Sequence, residues 1–305
     1  MISGARGFMG RNLVEYLSGA GSGRYILFYP YHNDLELLDT KKVEEYVSSN
    51  GIDIIIHCAN IGGTRKTDYD ISGTDVVFKN MKMFLNLVRL LGLKRRMIFL
   101  GSGAEYGLRH YKPGMREEYF DAHMPEDAYG FSKYTCSKYI ENSKNIVNLR
   151  FFGVFGRYED YEYRFISNSI VKNLLGMPIV INQNVYFDYL YADDAVRIIE
   201  RFIERRSRHK FYNAARGETI DLITIAGKIN KIAEKPSEVI VVNPGLNTEY
   251  SGDNARLLKE LKGFRFTPFD RALAELYSWY KSNMDKISRE SVIKDEYIKY
   301  CRVKL

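Results

Sequence analysis

The sequence predicts an α/β fold: a doubly wound parallel sheet carrying a smaller C-terminal lobe. Three observations predict it. Short, almost continuously apolar runs alternate with longer helix-patterned stretches through the first half of the chain, as strands buried on both faces of a parallel sheet require. A glycine-spaced turn, Gly4-Ala5-Arg6-Gly7-Phe8-Met9-Gly10, opens directly into the first of those helical stretches. The second half loses the regular alternation, which predicts a lobe built onto the sheet.

Taken in order, Met1-Ile2-Ser3 leaves a first strand far shorter than the about five or six residues usual for a strand. Gly10–Ser18 follows as a helix with Leu13, Val14 and Leu17. Further strands are Tyr25–Tyr29, Asp53–Cys58, Met97–Gly101 and Ile146–Phe152, separated by helical patterns at Thr40–Asn50, Asp75–Leu93 and Ala128–Ser143. Strand and helix at this spacing form βαβ units. Beyond them Arg164–Leu175 is helical and Val185–Leu190 extended. Asp193–Arg205 is amphipathic, with Ala195, Val196, Ile199, Phe202 and Ile203 on one side. Phe211–Ala214 returns as a strand, Asp221–Glu234 is a helix capped near Thr219 or Asp221, Val239–Val242 is a short strand, and Arg271–Ser282 is a helix. This order places residues 1–155 in a dinucleotide-binding domain to which 185–215 return, and residues 156–184 and 216–305 in the lobe.

Composition narrows the function classes. Of the 305 residues 45% are apolar and 27% charged, the balance of a soluble globular protein. No apolar run reaches the ~18 residues of a membrane-spanning helix, and the first residues lack the charged and apolar regions of a secretory signal. Cys58, Cys136 and Cys301 lie far apart without CxxC spacing, which argues against a disulfide framework or a zinc or other metal site and suits a reducing cytoplasm. The net charge of +7 is scattered, and its densest cluster, Arg205–Lys210, is short. Without a basic stripe interleaved with aromatics the chain does not resemble a nucleic-acid binder; the excess fits a ligand carrying phosphates.

The glycine turn supplies the chemistry for such a ligand. Glycines at intervals of three bring backbone N–H groups close to a pyrophosphate, and the dipole of the following helix favours its charge. Gly4, Arg6, Gly7, Phe8, Met9 and Gly10 are therefore candidate dinucleotide contacts. An acid that bonds the ribose 2′-OH ordinarily ends the second strand, yet Tyr29 is followed by Pro30-Tyr31-His32-Asn33 before Asp34. With that acid missing, Arg6 in the turn is placed to face a 2′-phosphate, which tilts the cofactor toward NADP over NAD.

Tyr129-Gly130-Phe131-Ser132-Lys133 puts a phenol and an ammonium four apart on one helix face. A nearby Lys favours phenolate and so lowers the tyrosine pKa, and such a tyrosine exchanges a proton with a carbonyl or alcohol oxygen. Tyr134/Lys138, Tyr277/Lys281 and Tyr300/Lys304 share the spacing as surface helix pairs. Tyr129 is singled out by Phe99-Leu100-Gly101-Ser102-Gly103-Ala104-Glu105-Tyr106-Gly107, the end of a buried strand. Ligands of doubly wound sheets bind at the carboxyl ends of strands, so Ser102 lies where a hydroxyl can bond the oxygen that Tyr129 protonates.

In these motifs the chain resembles the extended short-chain dehydrogenase/reductase family of nucleotide-sugar epimerases, dehydratases and 4-keto reductases. The resemblance runs through G-x-x-G-x-x-G at 4–10, H-C-A-N at 57–60, N-M-x-x-x-x-N at 80–86, L-G-S-G-A-E-Y-G at 100–107, Y-G-x-S-K at 129–133 and L-Y-A-D-D at 190–194. Leu35–Asp39, Gly62-Gly63 and Leu100-Gly101-Ser102 look most like its GDP-fucose synthase branch. The resemblance implies a Rossmann sheet, a catalytic triad of Ser102, Tyr129 and Lys133, and Leu38, Asp39, Ala59 and Asn80 near the cofactor. In that branch an Arg of the glycine turn helps to bind NADPH. It also implies a homodimer paired through helices Asp75–Leu93 and Ala128–Ser143.

Departures from the family pattern narrow the reaction. Ala104 stands where dehydratases carry an acid and where GDP-fucose synthase carries a Cys, Glu105 is one place off, and no His lies between His123 and His209. Dehydration and double epimerisation are thereby disfavoured. On the substrate side Gly153 replaces an Asn and Phe187 replaces a diphosphate-binding Arg, leaving Arg157, Arg164 or Lys172 to supply the charge. Glu105, Arg157 and Phe187 are the substrate-side candidates. The resulting expectation is NADP(H)-dependent reduction of a keto group, at C4, of a nucleotide-activated sugar for surface glycans. The alternatives are a 4-epimerase with bound NAD and a non-catalytic dinucleotide-binding regulator.

Overall fold

The computed structural model describes residues 1–19, 23–63, 73–299 and 301. Strand β1 (Ile2–Ser3) passes through the glycine turn into helix α1 (Phe8–Gly19). Then come α2 (Thr40–Ser49), β2 (Ile54–His57), α3 (Gly73–Val88), β3 (Arg96–Ser102), α4 (Ala128–Glu141) and β4 (Ile146–Phe151). The second half contributes β5 (Gly153–Phe155), α5 (Phe165–Leu174), β6 (Ile179–Asn184), β7 (Tyr186–Tyr191), α6 (Ala192–Glu204), β8 (Phe211–Ala214), β9 (Thr219–Asp221), α7 (Leu222–Ile232), β10 (Val239–Leu246), α8 (Ala255–Glu260) and α9 (Phe269–Lys281).

Five strands form a parallel sheet in the order β1-β2-β3-β4-β8. Its continuously apolar strands follow from what covers each face, since neighbouring residues of a strand point to opposite sides. Ile56, Ile98 and Leu149 meet Leu13 and Leu17 of α1 and Ile198, Ile199 and Phe202 of α6. Their neighbours Ile55, Met97 and Phe99 meet Val43 and Val47 of α2, Phe84 and Leu87 of α3, and Cys136 and Ile140 of α4. Each such fully buried side chain contributes roughly 1.5–3 kcal/mol.

The lobe has its own core, in which Ile166, Ile170, Ile225, Ile229, Leu273 and Leu276 surround Ile179 and Ile181 of β6. β6 pairs in parallel with β10, and β7 lies between β5 and β9. β8 returns to the main sheet, setting Asn213 beside Arg150.

The structure departs from the sequence expectations in three elements. Tyr25–Tyr29 lies beside β1, with the Ile2 N–H donating to the Phe28 carbonyl at 2.7 Å, but is not a strand. The helix expected to reach Leu93 ends at Val88, ahead of Gly92 at φ +53°. β10 runs four residues past Val242, with an irregularity between Asn243 and Leu246. On α3 and α4 the apolar side chains of Phe78, Leu85 and Tyr139 are exposed, the surface that the expected helix pairing would use. Among the described residues no helix is long and apolar enough to cross a membrane, and no three His, Cys, Asp or Glu residues are grouped to hold a metal.

Candidate active site

The glycine turn leaves the carboxyl end of β1, Ala59 follows β2, and Ser102 ends β3, so sheet topology brings them to one edge. Gly4 sits at φ +70°, and a side chain on it would come within 2.6 Å of the Ala59 amide nitrogen. A Cβ on Gly10 would fall 2.2 Å from the Gly4 carbonyl oxygen. The turn is closed by the Gly7 N–H donating to that same oxygen at 3.0 Å. Phe8 and Met9, half-buried, begin α1, whose first N–H groups have no partner within the helix. This compact cradle at a helix N-terminus fits a dinucleotide pyrophosphate. Arg6 is exposed and stacks its guanidinium 4.3 Å above the Tyr31 ring. The nearest acid in sequence, Asp34, accepts from the Tyr31 amide at 2.9 Å.

Ser102 begins a short 3₁₀ turn (Gly103–Tyr106), its hydroxyl accepting from the Ala104 N–H at 3.1 Å. The same hydroxyl lies near enough to the phenols of Tyr129 and Tyr250 to lower the pKa of each. Tyr129 enters on the first turn of α4, which Asp127 starts by accepting from the Gly130 N–H at 2.7 Å. One turn on, Lys133 is buried and its ammonium donates to the Leu100 carbonyl at 2.8 Å, 4.6 Å above the Phe99 ring. The structure thus gathers Ser102, Tyr129 and Lys133 around the end of β3.

One electrostatic expectation is reversed. Burial raises the Tyr129 pKa above the ordinary tyrosine value, outweighing the lowering by the nearby Ser102 hydroxyl and the Arg164 charge. The Lys133 ammonium, directed at Leu100, is itself held below its ordinary pKa by burial. Burial therefore favours the protonated phenol at Tyr129. Burial likewise pushes the thiols of Cys58 and Cys136 up to about 12 and His57 down to about 3, so none supplies a thiolate or an imidazolium.

Several sequence candidates sit nearby and are engaged by other groups of the chain. Asp39 is the N-cap of α2, accepting from the Lys41 and Lys42 amides at 3.0 and 3.1 Å, and Leu38 is half-buried against the α2 side of the sheet. Asn80 is buried, with its amide bonded to both Ile61 backbone groups at 2.8 Å and to the Ser132 hydroxyl at 3.1 Å. It ties the segment after β2 to α4. Arg157 pairs with Glu15 at 3.2 Å and Asp193 at 3.6 Å. Lys172 is buried in the lobe against Asp295 at 2.7 Å. Glu105 is fully buried and ion-paired with Arg150 at 2.6 Å, so it faces away from substrate.

Arg164 is the remaining cation. It is exposed at the start of α5, donates to the Gly63 carbonyl at 2.7 Å and acts electrostatically on Tyr129 and Tyr250. Among the described residues it forms no ion pair. Phe187 packs 5.8 Å from Tyr250, which stacks 4.7 Å from Tyr111 and meets Phe152 at 5.4 Å. Tyr111 and Tyr250 carried no sequence signal. Tyr250 is delivered by backbone bonds on both sides of Phe187, from the Asp188 N–H to its carbonyl and from its own N–H to Tyr186, each at 3.0 Å.

Known proteins resemble this arrangement over most of its length. An ADP-L-glycero-D-manno-heptose-6-epimerase of Brachyspira hyodysenteriae is 24% identical over 86% of this chain and 90% of its own. A dTDP-4-dehydro-6-deoxyglucose reductase of Escherichia coli is 25% identical over 88% and 92%. In fold, the chain matches the GDP-mannoheptose C4 reductase of Campylobacter jejuni, solved with NADP bound, at a TM-score of 0.78 with 18% identity, covering 92% of this chain and 97% of that one. The model of the NAD dependent epimerase/dehydratase family matches residues 1–215, from the glycine turn to the end of β8. The chain belongs to the NAD dependent epimerase/dehydratase family.

Proposed function

We propose that this protein is an NADP(H)-dependent reductase of a keto group, at C4, of a nucleotide-activated sugar. The observation that carries the reading is the meeting of a protonated Tyr129, the Ser102 hydroxyl and the Lys133 ammonium at the end of β3, beside the glycine cradle. When bound, NADPH supplies the hydride. Ser102 holds the carbonyl oxygen and Tyr129 donates a proton to it, general acid catalysis contributing ~10²–10⁴-fold. Lys133 holds positive charge 5.9 Å from the Tyr129 ring, and Tyr111, Phe152 and Tyr250 keep water from the reacting oxygen. The name of the heptose-6-epimerase relative supports a second reading, epimerisation with retained cofactor.

Arg6 on its Tyr31 shelf, with no acid ending the preceding segment, supports NADP. Arg6→Ala is expected to weaken NADPH more than NADH, by the ~1.5–3 kcal/mol of a charged hydrogen bond, roughly 10–150-fold. Equal losses in a fluorescence titration of both cofactors would assign Arg6 no 2′-phosphate. Arg164 takes the place of the diphosphate-binding arginine that Phe187 replaces. Arg164→Ala is expected to raise KM for the nucleotide sugar about 10–100-fold with kcat little changed, the pattern of lost ground-state binding; an unchanged KM contradicts the assignment.

A further inference from the structure

Beneath Ser102 lies a buried ion pair that the proposed chemistry does not use. The Glu105 carboxylate accepts from the Ser102 N–H at 3.0 Å, the Ser137 hydroxyl at 2.7 Å, the Asn148 amide at 3.2 Å and the Arg150 Nε at 2.6 Å. Both charged side chains are wholly buried. The pocket is built around them: a Cβ on Gly101 would fall 2.4 Å from the carboxylate. Arg150 lies between the rings of Phe120 and Phe211, at 4.3 and 4.5 Å, and donates to the Tyr106 hydroxyl at 3.2 Å. Stability alone does not call for such a pair, because well-packed apolar replacements are often as stable.

The partners of this carboxylate are what distinguish it. Ser102 is the last residue of β3, Ser137 lies one turn beyond Lys133 on α4, and Asn148 and Arg150 belong to β4. One carboxylate therefore joins the serine turn, the helix carrying Tyr129 and Lys133, and the neighbouring strand. We propose that Glu105 is a positioning residue, clamping the Ser102 turn at a fixed distance from the Tyr129–Lys133 helix. The proposal rests on the catalytic reading of those three residues given above. A displacement of about 1 Å at such a site costs on the order of 10²-fold in rate, so the clamp acts on kcat through geometry.

The test uses two double variants of the full chain. Glu105→Leu/Arg150→Met removes both charges and every acceptor, whereas Glu105→Gln/Arg150→Met keeps an amide oxygen for the Ser102 N–H. With NADPH and a sugar that the wild type reduces, the Leu/Met variant is expected to keep both KM values within about twofold and lose kcat about 10–100-fold. The Gln/Met variant is expected to recover most of that loss. Ser137→Ala leaves the ion pair intact and reports on the clamp whether or not the double variants fold; it is expected to lower kcat roughly 3–10-fold at unchanged KM. Wild-type kcat in Leu/Met or in Ser137→Ala, or no gain from Gln over Leu, overturns the proposal.

If the wild type reduces no keto sugar, the functional reading fails while the clamp remains measurable. The Ser102 amide is then expected to exchange hydrogen at least about tenfold faster in Leu/Met, and also faster in Ser137→Ala, with Ile98 of the same strand unchanged. Equal Ser102 protection in the wild type and these variants overturns the clamp.

Discussion

Tyr129→Phe is expected to reduce turnover by at least about 10²-fold, the lower end of general acid catalysis, while NADPH affinity stays within about twofold because only the reacting hydroxyl is removed. Tyr134→Phe is the control: it has the same spacing to a lysine, but its hydroxyl bonds Asp121 on the outer side of α4. A residual rate above about a tenth of wild type in the Tyr129 variant removes the acid role. The pH dependence follows from the raised Tyr129 pKa. The donor form is present below that value and is lost only as pH rises through it. Reduction by the wild type should therefore show no loss from Tyr129 ionisation up to about pH 10, the ordinary tyrosine value.

Gly10→Ala is expected to have the second largest effect, this time on cofactor binding. The added methyl meets backbone, the Gly4 oxygen at 2.2 Å and the Ala5 Cα at 2.7 Å, and neither can swing aside as a side chain would. Relieving such overpacking costs roughly 1–3 kcal/mol. Opening the cradle should take at least that much from NADPH binding, about 10–100-fold in Kd. Gly227→Ala, within α7 and with open space around the new methyl, is expected to leave Kd unchanged and to stabilise the lobe by about 1 kcal/mol. A fluorescence titration showing wild-type NADPH affinity in the Gly10 variant would place the pyrophosphate elsewhere.

The parts of the site legible in the sequence were those whose geometry is local. Glycine spacing, a Tyr–Lys pair one helical turn apart and a serine ending an apolar strand all encode their arrangement within a few residues. For Asp39, Asn80, Glu105 and Arg157 the sequence shows the residue but not its partners. Their side chains are consumed by a helix cap, a loop tie and two ion pairs whose partners lie elsewhere in the chain. Glu105 is separated from Arg150 by the whole of α4 before β4 brings them into contact. Tyr250 and Arg164 reach the site through β7 and the start of α5, far from Ser102 in the chain, whereas Tyr111 follows the Ser102 turn and bonds the Gly103 carbonyl. The Tyr129 pKa was misjudged for a related reason. The sequence shows the neighbouring lysine charge, whereas the burial that outweighs it belongs to the assembled cleft.

The measurement that tests reduction most directly is the stoichiometry of cofactor use. Purified protein would be given NADPH and a panel of 4-keto nucleotide sugars differing in nucleotide, since Gly153 and Phe187 leave that choice open. Reduction predicts that nicotinamide absorbance falls in step with product, one NADPH consumed per sugar reduced. Conversion of a 4-hydroxy sugar to its epimer with no added cofactor and no absorbance loss would contradict it.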